Sequence, residues 1–244
     1  MTECMFNRLI RHALRQEPNY AIHDGQYDDK RTHGGNISKK LSYIILKKIL
    51  HVDDDAYSDC CFIELGFGSC ATSVIASILM DRPGSVVSVE LVRERYDRAA
   101  EWVSNLKNCQ MNHPVIECGD FLEPSEAPNV WNKIQSGRVI IFINNAQGVW
   151  LSQMNRLDSM INKCCVGSIV VSLERMLLNQ PTFHEKRIVI SNIARDEVSW
   201  GGSTGIKPLE MFIYTKMDRK SLYFCHGIRL RATHGYENDE MIDL

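Results

Sequence analysis

The sequence predicts an α/β fold around a mostly parallel sheet, and three observations carry that prediction. From Cys60 onward, short β-type runs alternate with helical segments, the rhythm of strands joined by crossover helices. Toward the end, "LEMFIYTKM" and "SLYFCHGIRL" are separated by only a few polar residues, a spacing that permits a hairpin and no crossover, so the sheet gains an antiparallel C-terminal hairpin. The 244 residues are 44% hydrophobic and 24% charged, enough to bury one substantial core.

Residues 5–16 place Phe6, Leu9, Ile10, Ala13 and Leu14 at helical spacing, with Arg8, Arg11 and Arg15 opposite, until Pro18 stops the pattern. The polar stretch "NYAIHDGQYDDKRTHGGNIS" has no periodicity and reads as a loop. Ser38 suits an N-cap for a helix running to about Leu50, with Leu41, Ile44, Ile45, Lys48 and Ile49 spaced for a partly apolar face. Then follow "CCFIELG", a helix near 71–80, "SVVSVEL", a helix near 93–107, "PVIECGDF", a helix near 125–136, "RVIIFINN", a helix near 150–163, and "GSIVVSLE". The acidic "ENDEMIDL" terminus reads as a frayed tail. Residues 1–55 thus form an N-terminal helical segment with its loop, and 56–244 the α/β core.

Composition excludes several classes. A formal net charge of −2 gives no bulk field for nucleic acid, so such a partner would have to be met by local patches. The nine cysteines include the adjacent pairs Cys60-Cys61 and Cys164-Cys165 but no Cys-x-x-Cys, the usage of reduced thiols inside a cell. The eight histidines do not fall at zinc spacings, so no metal site is expected. No apolar run is long enough to span a bilayer, which points to cytosol or nucleus and to no membrane role.

In an open α/β sheet, ligands bind beyond the carboxyl ends of the strands. The first run ends in Gly66-x-Gly68-x-x-Ala71, glycines that let the chain turn tightly and bring backbone N–H groups close to a ligand. The same turn would suit a nicotinamide dinucleotide, and a Gly-x-Gly turn is also ordinary punctuation. The second ends at Glu90, which could accept both hydroxyls of a ribose or pair with Arg93 or Arg95. After the third, Asp120 could accept from an adenine amino group while Phe121 lies against the ring; separately they read as a turn and a core residue. The fourth ends in Asn144-Asn145. Hydride transfer would call for His, Tyr or Lys here, whereas carboxamides suit methyl transfer from a sulfonium to an amine, which needs alignment and desolvation. Trp200, in the glycine-rich "SWGGSTG", could wall a channel for an alkyl-ammonium group or pack as a lid.

Several of these pieces resemble the non-SET histone lysine methyltransferases of the "disruptor of telomeric silencing" class. They are "IELGFGS", "VSVE", "GDFL", "VIIFINN", "GSIVVS" and "VSWGGSTGIKP", in the family's order over roughly residues 32–216. The resemblance implies a Rossmann-like, seven-stranded sheet dependent on S-adenosylmethionine, an N-terminal helical segment and a loop closing over the cofactor. It implies methylation of a lysine in the globular core of histone H3, on the nucleosome and therefore in the nucleus. By position it assigns Glu64, Gly66, Phe67 and Gly68 to the cofactor loop, Glu90 to the ribose, Asp120 and Phe121 to the adenine, and Asn144, Asn145 and Trp200 to the methyl-transfer point and lysine channel. Departures are specific: His33-Gly34-Gly35 stands for the family's Tyr-Gly-Glu closing motif, Cys70 and Ala71 for glycine and glutamine, and Met211 and Phe212 for tyrosines.

Lys39, Lys40, Lys47 and Lys48, with Arg229 and Arg231, are the local basic groups that could meet nucleosomal DNA, or simply a solvated face. A methyltransferase of the same fold acting on RNA or a small molecule, and a catalytically silent scaffold, are the alternatives.

Overall fold

The computed structural model describes residues 37–108, 111–144, 153–176, 178, 182–191, 208–218 and 240–243. Among them eight strands form one sheet: β1 (Cys61–Leu65), β2 (Val86–Glu90), β3 (Val115–Cys118), β4 (Val139–Ile143), β5 (Ile169–Ser172), β6 (Phe183–Ser191), β7 (Leu209–Lys216) and β8 (Glu240–Asp243). Their order is β3-β2-β1-β4-β5-β7-β6-β8. β1 to β5 pair in parallel, and β7 runs antiparallel to both β5 and β6. The first seven strands make the expected mixed sheet with antiparallel C-terminal strands.

Helices cover both faces: α1 (Lys39–Tyr43), α2 (Ala71–Met80), α3 (Arg93–Asn108), α4 (Pro128–Ser136) and α5 (Met154–Ile161). Every residue of β1, β2 and β4 is buried, and all but Glu64, Ser88 and Glu90 are apolar, the pattern of a parallel sheet covered on both sides. Alternation then sorts their side chains. Phe62 and Phe142, whose rings stack 6.5 Å apart, join Leu41, Val74, Ile75 and Trp102 on one face. Ile63 and Ile141 join Trp131, Ile134, Leu157 and Met160 on the other. Each such side chain taken from water contributes about 2 kcal/mol before entropy is counted.

Ser38 caps α1 as expected, its Oγ accepting from the Leu41 N–H at 3.0 Å. The helix then widens into a π turn over Ile44–Ile49, with the Leu50 N–H reaching the Ile45 carbonyl at 2.9 Å. The wider turn rotates the chain, so the inward face is Leu41, Ile45 and Leu46 instead of the expected row through Ile44, Lys48 and Ile49. α4 begins at Pro128, whose fixed φ and missing N–H suit a first turn.

Two features at the C-terminal side of the chain correct the sequence reading. β7 pairs along its length with β6, "FHEKRIVIS", a strand the alternation of elements did not reveal because the polar run His184, Glu185, Lys186 and Arg187 interrupts its apolar signal. The run "SLYFCHGIRL" lies outside the described residues, as does the helix expected over 5–16. The expected frayed tail is instead β8, parallel to β6 and covering its outer edge. Four residues with an acid at each end are too few to show a strand's period.

At the amino ends of the strands, two arginines tie down the loop before β1. Arg82 donates to the carbonyls of Tyr57, Ser58 and Cys60, and Arg138 to Asp59 and to the Ala56 carbonyl. The opposite, carboxyl edge carries the polar residues singled out above.

Candidate functional site

Strand register lines the carboxyl ends up. Leu65 pairs with Val89 and Ile143, Glu90 with Cys118, and Ile143 with Ser172. The chain leaves β1 for β2 and β3 on one side and returns to β4 and β5 on the other, so the crevice at the switch point opens between the loop after β1 and Asn144 after β4.

The loop after β1 needs left-handed backbone at three places: Gly66 (φ 74°), Gly68 (φ 52°) and Cys70 (φ 64°). Glycine adopts this freely, whereas a Cβ at Cys70 costs about 1 kcal/mol. Cys70 is fully enclosed, and burial pushes its thiol well above the ordinary range, so it is an inert core group.

Glu90 joins the loops together. Its Oε2 accepts from the Gly68 N–H and its Oε1 from the Val92 N–H, both at 2.9 Å, while its backbone carbonyl accepts from the Gly119 N–H at 3.0 Å. Arg95 approaches Oε1 at 3.9 Å, the ion pair foreseen as the plainer reading. One residue therefore fastens the ends of β1, β2 and β3.

Glu64 lies one tier below. Only 4% exposed, it accepts from Ser73 Oγ, which also contacts Ser88 Oγ at 2.5 Å; register places Glu64 directly beside Ser88. Burial pushes its carboxyl up to about 8, partly offset by the hydrogen bonds from Ser73 and Thr72. Its carboxyl group thus anchors the start of α2 from beneath the glycine turn.

Asp120 and Phe121 sit in a braced connection between β3 and α4. The Asp120 N–H donates to Glu126 Oε2 at 2.8 Å, and Asp120 Oδ1 accepts from the Leu122 N–H at 2.9 Å. Gly119 presses on Glu126 so closely that an added Cβ would meet the Glu126 Cβ at 2.7 Å. Glu117 caps α4, accepting from the Asn129 N–H at 2.9 Å and the Val130 N–H at 3.1 Å. The Phe121 ring is buried among the apolar residues beneath α4, and its carbonyl accepts from Trp131 Nε1 at 2.9 Å. Sequence reasoning missed Glu117, a cap supplied by the preceding strand, and Glu126, a brace within the connection, because neither contact leaves a local signature.

Asn144 is half-buried, with Oδ1 fully enclosed. Beside it, the loop after β5 is pinned by Tyr214 on β7, whose hydroxyl accepts from the Met176 N–H at 2.7 Å and donates to its carbonyl at 3.3 Å. Met211 and Phe212 are buried core residues of β7. Asn145, Trp200 and His33-Gly34-Gly35 lie outside the described residues.

No family model and no curated protein matches the chain. Solved structures do. A Pyrococcus horikoshii protein described as an RNA methyltransferase aligns with TM-score 0.50 at 11% identity, over 84% of this chain and 97% of its own. The fold is that of a Rossmann-like methyltransferase. A Staphylococcus aureus protein described as a caffeoyl-CoA O-methyltransferase gives TM-score 0.49 at 16% identity, over 88% and 100%. A Salinibacter ruber RNA methyltransferase, solved with S-adenosylhomocysteine, gives 0.46 at 14% identity, over 75% and 94%.

Proposed function

We propose that this chain is an S-adenosylmethionine-dependent methyltransferase working at the carboxyl edge of its sheet. The observation that supports this most directly is Glu90 at the end of β2, whose carboxylate accepts from the glycine turn and whose backbone carbonyl accepts from Gly119 in the Asp120 loop. A carboxylate has about four acceptor positions. With Gly68 and Val92 bound, Glu90 keeps capacity for two ribose hydroxyls.

Bound S-adenosylmethionine supplies a methyl carbon on a sulfonium, and its transfer leaves S-adenosylhomocysteine. Glu64, Gly66, Phe67 and Gly68 form and support the turn against it, Glu90 takes the ribose, Asp120 accepts from the adenine amino group, and Phe121 packs the adenine side of the pocket. Asn144 and Asn145 orient the reacting groups as neutral amides without taking a proton, and Trp200 walls the acceptor's path. An acceptor amine loses its proton to water first; its lone pair then forms the new N–C bond as the S–C bond breaks.

The order of the sequence motifs supports a lysine in the globular core of histone H3 as acceptor, on nucleosomes in the nucleus, with exposed Lys40 and Lys48 beside α1 toward the DNA. A second reading, an RNA or small-molecule acceptor, is supported by likeness to the P. horikoshii protein described as an RNA methyltransferase. Calorimetry with S-adenosylhomocysteine tests the cofactor. Glu90→Ala is expected to weaken binding roughly 30- to 100-fold, and Asn144→Ala to remove turnover while sparing binding. Labelled donor offered with nucleosomes, free histones and RNA, read by mass spectrometry, separates the acceptors; binding with no labelled product from any of them would mark a silent scaffold. No heat with S-adenosylhomocysteine, together with a thermal shift by NAD, would overturn the reading in favour of an oxidoreductase.

A further inference from the structure

Arg156 stands in the first turn of α5, the helix that follows Asn144 and Asn145, yet its guanidinium reaches across the edge to the connection after β3. Nη2 donates to Glu123 Oε1, Nη1 lies 4.0 Å from Asp120 Oδ2, and Nη1 donates to Gln153 Oε1 at 3.2 Å. Asp120 is 16% exposed, while Arg156 is 44% exposed.

We infer that Arg156 is a positioning residue for recognition of the adenine base, acting through Asp120. The inference rests on the cofactor reading above and deepens it. Among the contacts of Asp120, its N–H donates to Glu126, its Oδ1 accepts from the Leu122 N–H, and its Oδ2 faces the charge of Arg156. The first two hold the backbone and one oxygen, and the third acts on the other oxygen, Oδ2. A carboxylate oxygen can accept two hydrogen bonds, so a guanidinium 4.0 Å away aligns Oδ2 without displacing an amino donor. Arg156 also ties the adenine side of the pocket to the helix that starts beyond the paired amides. A lysine would keep the charge but lose the planar fork that spans Asp120, Glu123 and Gln153.

The test is calorimetry of the full chain with S-adenosylhomocysteine and with S-inosylhomocysteine, in which a carbonyl replaces the amino group Asp120 would recognise. The wild-type chain is expected to prefer the adenine compound. Arg156→Ala should weaken adenine binding roughly threefold to tenfold, leave inosine binding near wild type, and so shrink the preference; Arg156→Lys should recover part of it. Thermal melting without ligand should match wild type, since Arg156 and Glu123 are exposed and Asp120 keeps its bonds to Glu126 and Leu122. Equal weakening of both compounds, or no change in either, overturns the positioning role while leaving the cofactor reading intact. Failure of the wild-type chain to bind either compound removes the cofactor reading and this inference with it.

Discussion

Glu64 places a carboxyl inside the core beneath a turn, and its surroundings set how it responds to pH. Desolvation raises its protonation from the ordinary 4.5 to about 8. Between those values the folded chain holds a proton that the unfolded chain has released, so Glu64 contributes stability that is complete below about pH 4.5 and lost as pH rises through about 8. Glu64→Gln is expected to flatten this slope: melting temperature across that window should fall less with rising pH in the variant than in wild type. Glu90 and Asp120 were legible in the sequence because each closes an apolar run, where a charged group has few reasons to stand. The partners of Glu64 were not, since Ser73 and Ser88 meet it only once β1 and β2 are in register and α2 lies over them.

Strands and helices differ in how plainly their causes are written. The five parallel strands and α2 to α5 announce themselves by period, since each is long enough or apolar enough to carry one. β6 and β8 do not: one hides its apolar residues behind a run of consecutive charges, and the other pairs along a neighbour's edge. The π turn after α1 carries no signature of its own in the sequence. Between strands, the Tyr214 phenol joins β7 to the loop after β5 through both backbone groups of Met176. Tyr214→Phe leaves the buried Met176 N–H unsatisfied and should lower stability by about 1–2 kcal/mol in urea denaturation, with faster proteolysis near residue 176. An unchanged midpoint would show that this pin carries no weight.

Across the molecule, protection should follow the layering. β1 and β4 lie inside the sheet with every residue buried, whereas β3 and β8 form its rims. Native-state hydrogen exchange is expected to be slowest for amides of β1 and β4 and fastest in β8, with β3 between them; uniform protection across the sheet would contradict the described order. The architecture was legible as a whole because alternation of element types dictates parallel pairing, and so were the strand ends. What joins those ends was not legible, because it consists of contacts between segments far apart in the chain. Glu90 shows what that joining entails. The acid that would greet a sugar also fastens two neighbouring turns, so scaffold and pocket are one object at that point. An engineer seeking to accept a different nucleoside would have to leave this residue alone and reshape the recess from the base side, where Asp120 and Arg156 can be varied without unpicking the turn after β1.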